Sequence, residues 1–146
     1  MESVFRVLVV DDFEPWRRVV GWMLKPSPEW QIIGEAADGI EAVQQAEQLQ
    51  PDIVLLDIGL PLLNGIEAAK AIRGTAPAAK ILFVSVNLCP ELVQGALRTG
   101  AHGYVVKSDA ASELQTAMRA VLNGTRFVGN RFASYDFFRL DVSDER

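Results

Sequence analysis

The feature that most constrains this chain is an alternation of five short apolar runs with segments of helical spacing. The runs are Phe5 to Val10, Trp30 to Ala36, Ile53 to Leu56, Lys80 to Ser85 and Gly103 to Val106. Most are continuously apolar rather than alternating, as expected of strands covered on both faces. Between them, apolar residues recur at i, i+3, i+4, i+7 and i+8, clearest at Trp16, Val19, Val20, Met23 and Leu24 and at Leu114, Ala117, Met118, Val121 and Leu122. A strand followed by a helix five times over predicts parallel units with right-handed crossovers and helices on both faces of one sheet. The expected fold is α/β: a doubly wound (βα)5 domain with a parallel five-stranded sheet.

Punctuation supports these boundaries. Pro15 suits a first helical turn, Gly74 and Gly100 suit helix ends, and Ser108 or Asp109 can cap the last helix. Gly39, Gly65 and Gly103 read as turns needing positive φ. The pattern changes after Asn123, so residues 1–123 are expected to form one domain and residues 124–146 a tail, with Gly124 as helix stop. At 146 residues the chain falls within the range of a single domain.

A formal net charge of −5 argues against a broad basic surface that coats nucleic acid or an anionic membrane. No apolar stretch has the length of a bilayer span, and the N-terminus enters a strand-like run without a signal-peptide layout. The single cysteine, Cys89, cannot form an internal disulfide, and a cytoplasmic location is expected.

In an open parallel sheet, ligands bind beyond the carboxyl ends of the strands. There the first strand ends in Asp11 and Asp12, the third in Asp57, the fourth in Ser85, and the fifth runs into Lys107. Three carboxylates held together repel one another, and a hard divalent cation with oxygen ligands relieves the repulsion; Mg²⁺ suits a site that keeps waters and takes a phosphate. The lysine and the hydroxyl offer a charge and a donor to phosphate oxygens.

The segments VLVVDD, DIVLLDIGLPLLNG, ILFVS and GAHGYVVKS, in this order, resemble the receiver domains of two-component response regulators, over about Phe5 to Asn123. The resemblance implies a flavodoxin-like receiver fold and a switch that takes a phosphoryl group from a sensor histidine kinase or a phosphotransfer protein. It implies Asp57 as phosphoacceptor, Asp12 as a direct Mg²⁺ ligand, Asp11 as an acid acting mainly through metal-bound water, and the Gly59 carbonyl as a further ligand. It implies that Ser85 bonds the phosphoryl group, that Lys107 pairs with its charge, and that Tyr104 moves inward when Ser85 engages. For Tyr104, a half-buried sheet aromatic without that role is the alternative.

Other functions on this fold fit less well. A phosphatase using an aspartyl phosphate needs an Asp-x-Asp after its first strand, but Asp11 and Asp12 are adjacent. A nucleotide or flavin carrier wants a phosphate-cradling first loop, where DDFEPWRR presents acids. An unphosphorylated interaction module would have lost an acid or the lysine. His102 reads as a loop residue, Cys89 as a packing or surface residue, Trp16 and Trp30 as core, and Trp22 as surface.

DIGLPLLNG and the segment from Gly100 to Val128 are similar to receivers of LuxR-type transcriptional regulators, in which a DNA-binding domain follows. The tail shows no helix-turn-helix pattern, so direct nucleic-acid binding by this chain is not expected. A stand-alone receiver acting through protein contacts and a piece of a longer regulator both remain open. The tail mixes Phe127, Phe132, Tyr135, Phe137 and Phe138 with Arg126, Arg131 and Arg139, a composition enriched at interfaces. It points to a homodimer contact on the face of the fourth helix, fifth strand and fifth helix, with the tail joining it or packing beside it; a linker remnant, packed on the domain or disordered, is the equal alternative.

Overall fold

The computed structural model describes residues 3–137. The elements alternate as β1 Phe5–Val10, α1 Glu14–Leu24, β2 Trp30–Ala36, α2 Gly39–Leu49, β3 Ile53–Leu56, α3 Gly65–Thr75, β4 Lys80–Ser85, α4 Pro90–Leu97, β5 Gly103–Val106 and α5 Ala110–Leu122. All five expected strands are present at the expected bounds, and a sixth, β6 Phe127–Val128, adds to the open side of β5. Every pairing is parallel, in the order β2-β1-β3-β4-β5-β6.

Burial on both faces follows from the two-residue period of a strand. In β1, Leu8 and Val10 pack toward α2 and α3, whereas Val7 and Val9 pack toward α1 and α5. One core holds Val54, Leu56, Ala68, Ile72, Phe83 and Val93, and the other holds Val20, Leu24, Leu55, Leu82, Leu114 and Met118. Trp30 joins the second core, Trp16 packs partly against it, and Trp22 is exposed, as the helical stripe predicts.

Local chemistry sets the helix ends. Asp38 Oδ1 accepts from the Glu41 amide at 2.7 Å while Glu41 Oε1 accepts from the Ala37 amide at 2.7 Å, a reciprocal cap on α2. Asn64 Oδ1 caps α3 by accepting from the Glu67 amide at 3.0 Å. Pro15 and Pro90 stand in first turns, and Gly100 and Gly124 take positive φ beyond α4 and α5. Gly74 falls inside the last turn of α3.

Two local expectations are corrected. Neither Ser108 nor Asp109 caps α5 through its side chain, because the chain leaves β5 through a 3-10 turn at Lys107–Asp109 and the Asp109 carboxylate is taken by Arg131 at 2.7 Å. Gly39, Gly65 and Gly103 do not have positive φ. They serve close approach instead: a Cβ would collide with the Leu63 carbonyl at Gly39, the Asp57 carbonyl at Gly65 and the Phe127 carbonyl at Gly103.

Residues 124–137 do not trail away from the domain. After β6, a 3-10 turn at Asn130–Phe132 places Phe132 and Phe137 in the core cluster that contains Tyr104. Phe138 and Arg139, counted with the aromatic tail, lie outside the described residues. Among the described residues, no helix is long and apolar enough to cross a membrane.

Candidate functional site

The order β2-β1-β3 reverses the winding at β1 and β3, so the two strands carrying the acids flank the crevice where ligands bind in such sheets. Asp57 is fixed by its backbone: its amide donates to the Val10 carbonyl at 3.1 Å, and its Oδ1 accepts from the Ile58 amide at 2.9 Å. Asp11 is buried, and its Oδ1 accepts from the Phe13 amide at 2.9 Å. Arg17 donates to the Asp11 carbonyl at 2.6 Å, tying the first turn of α1 to the end of β1. Asp12 is exposed at the mouth, and so is Gly59.

Lys107 bridges the acids. Its Nζ stands 2.6 Å from Asp11 Oδ2 and 3.7 Å from Asp57 Oδ2. Trp16, read from sequence as a core residue, also presents its ring to this ammonium at 5.2 Å from the centroid. That contact joins α1 to the end of β5. The helical stripe located Trp16 but gave no sign of the lysine above it.

Asp11, Asp12 and Asp57 each bring a carboxylate oxygen within 4.8 Å of the others, a hard-oxygen set on which a divalent cation fits. Burial, and then repulsion from Asp11, pushes the Asp57 carboxyl above its ordinary value of 3.8, while Lys107 and the Ile58 amide pull it back. A carboxyl with a raised pKa in the folded state binds more protons there than in the unfolded chain. Its ionisation therefore withdraws stability as pH climbs from about 4 through the raised folded value, and the deficit persists above it. Without divalent ions, Asp57→Asn should melt several degrees higher than wild type at pH 7, with the advantage shrinking as pH falls toward 4. Thermal denaturation across that range checks this, and a less stable Asp57→Asn at pH 7 contradicts it.

Ser85 is fully buried at the end of β4, where its Oγ accepts from the Asn87 side-chain amide at 3.0 Å and the Asn87 backbone amide at 3.3 Å. Tyr104 is turned inward, with its hydroxyl donating to the Asn87 carbonyl at 3.1 Å. Burial pushes its phenol pKa up. His102 is structural: its Nδ1 accepts from the Ile81 amide at 3.0 Å, and burial with nearby Lys80, Arg73 and Arg126 lowers its pKa to about 4. Cys89 is exposed at the start of α4.

The profile of the response regulator receiver domain matches residues 7–119. The chain belongs to the response-regulator receiver family. The receiver is 33% identical over 142 residues to the transcriptional regulatory protein LiaR of Bacillus subtilis, covering 97% of this chain and 67% of that protein. It is 32% identical over 127 residues to the transcriptional regulatory protein DegU of Brevibacillus brevis, covering 87% of this chain and 54% of that protein. The receiver thus spans between about half and two thirds of these relatives. A crystal structure of a LuxR-family two-component response regulator from Aurantimonas superposes with a TM-score of 0.86 at 33% identity, covering 99% of each chain.

Proposed function

We propose that this chain is a phosphorylation switch in which Asp57 accepts a phosphoryl group from a phosphohistidine on a sensor kinase or phosphotransfer protein. The observation that carries this reading is the acid cluster bridged by Lys107, with its ammonium 2.6 Å from Asp11 and 3.7 Å from Asp57. A free Asp57 oxygen attacks phosphorus in line with the leaving imidazole nitrogen, so that an O–P bond forms as the N–P bond breaks. Lys107 offers its charge to the oxygens of the group in flight, and Ser85 offers a hydroxyl. Asp12 and Asp57 would hold Mg²⁺ directly, with the Gly59 carbonyl as a further ligand and Asp11 acting through water; the ion supplies neutralisation of developing phosphoryl charge.

The new charge and acceptor oxygens at Asp57 would draw on the Ser85 hydroxyl and so bias the Asn87 loop and Tyr104. The output is a changed surface, not a reaction on a small substrate. The transcriptional regulators and the LuxR-family structure named above support the reading of the whole protein as a LuxR-type transcriptional regulator; a cytoplasmic location and a division into a receiver at 1–123 and a segment at 124–146 belong to the same proposal. A second reading is a receiver acting through protein contacts alone, with a homodimer contact on the face of α4, β5 and α5; the tail lies across that face with Phe132 and Phe137 packed into the chain's own core, so such a contact would be made over the docked tail.

The test is incorporation of phosphate from a small phosphodonor. With Mg²⁺ the wild type should approach one phosphoryl group per chain, and removal of divalent ions should abolish the reaction. Incorporation that persists without them would defeat the assignment.

A further inference from the structure

Phe132, the last residue of the 3-10 turn Asn130–Phe132, is 3% exposed, with its ring edge-on to Tyr104 at 6.1 Å and 84°. Behind it, Phe137 packs edge-on at 5.8 Å and 80°, and Tyr135 stacks on Phe137 at 5.4 Å and 20°. Residues 127–137 are tied down on three elements. The Gly129 amide donates to the Tyr104 carbonyl on β5 at 3.2 Å. The Asn130 amide donates to Glu113 Oε2 on α5 at 3.0 Å, and Arg131 clasps Asp109 with two bonds of 2.7 and 2.9 Å. Gln94 of α4 donates to the Phe137 carbonyl at 3.3 Å.

Beneath this cover the contacts continue to the site. The Tyr104 hydroxyl donates to the Asn87 carbonyl at 3.1 Å, and the Asn87 side chain donates to Ser85 Oγ at 3.0 Å. Tyr104 is therefore held inward by the Asn87 carbonyl at its hydroxyl and by the aromatic cluster packed against its ring.

We propose that Phe132 is a positioning residue for the phosphoryl site: by holding Tyr104 inward it keeps the Asn87 and Ser85 loop in the form that receives the group on Asp57. The proposal rests on the phosphorylation reading above. Docking of the tail and ligation at Asp57 then favour the same Tyr104 orientation, and two events that share one favoured state strengthen each other by the same factor. The tail acts as a built-in effector of the acidic site.

The experiment titrates the full chain with beryllofluoride and Mg²⁺, a phosphoryl mimic, and follows amide hydrogen exchange at Gly129 and Asn130. Phe132→Ala should weaken apparent beryllofluoride affinity about tenfold, and Phe132→Leu should restore most of the loss by refilling the space. Leu24→Ala, a cavity on the opposite face of the sheet, should lower folding stability and leave the affinity alone. In the wild type, beryllofluoride should slow exchange at Gly129 and Asn130 by the same factor. A folded Phe132→Ala with wild-type or tighter affinity overturns the proposal. Should that variant not fold, unchanged exchange at the two amides in the wild type overturns it. A wild type that binds no beryllofluoride overturns the phosphorylation reading and this inference together.

Discussion

Replacing Lys107 by alanine is expected to slow phosphoryl transfer to Asp57 by about 10²–10³-fold, the usual cost of removing one preorganised charge or donor from a reacting centre. Among the described residues, the Lys107 ammonium is the cation that stands between Asp11 and Asp57, and side-chain accessibilities of 15% for Lys107 and 2% for Asp11 leave little water to screen it. Its loss has two consequences for Asp57. The phosphoryl oxygens lose a partner as charge moves onto them, and the nucleophile itself becomes harder to ionise, because the interaction opposing burial and Asp11 repulsion is gone. An arginine is not expected to rescue the transfer, since a planar guanidinium cannot occupy the point 5.2 Å above the Trp16 ring and still face both acids as a compact ammonium does. Rates from a small phosphodonor at saturating Mg²⁺ check this, and a Lys107→Ala chain phosphorylated at the wild-type rate contradicts it.

A large effect on folding is expected at Gly65. This residue opens α3 directly behind Asp57, with its amide donating to the Ile58 carbonyl at 2.7 Å. A Cβ there would overlap the Asp57 carbonyl oxygen and crowd the Ile58 Cα, both backbone atoms that cannot turn aside as a flexible side chain can. Gly65→Ala must push the end of β3 away from α3, at a cost of about 3 kcal/mol, the upper part of the usual range for overpacking. In a domain of this size that corresponds to roughly 10 °C in melting temperature. The displaced atoms belong to Asp57, the proposed phosphoacceptor, so the variant should also phosphorylate poorly at temperatures where it remains folded. A Gly65→Ala melting within about 3 °C of wild type, the effect of about 1 kcal/mol, would show that the α3 entrance yields more easily than its contacts imply.

The strands and the acidic site were legible in the sequence for related reasons. Most strands are apolar runs ended or followed by a polar residue, β2 with Gln31 and Glu35 being the exception, and in a parallel sheet those end residues converge, so Asp11, Asp57 and Lys107 could be placed together from spacing alone. β6 escaped because Phe127 and Val128 are too few to show a period, and their place is set by the free edge of β5. Gly39, Gly65 and Gly103 were recognised as special for the wrong reason, since a sequence does not distinguish a turn from a backbone passing close by. The Asp109 cap gave way to Arg131, a partner brought near only when the tail folds back. Tyr104 was legible as a candidate switch, but its cover of Phe132 and Phe137 was not, because aromatic and arginine residues beyond a helix read equally as an interface or as packing.

Every role assigned around the acidic site depends on Asp57 being the residue that carries the phosphoryl group. The most direct measurement is peptide mapping of wild type and Asp57→Asn after reaction with a small phosphodonor and Mg²⁺, with the acyl phosphate trapped by reduction before digestion. Modification of the wild type at Asp57 alone, and none in Asp57→Asn, is the predicted result; modification at another residue, or undiminished in Asp57→Asn, would contradict it.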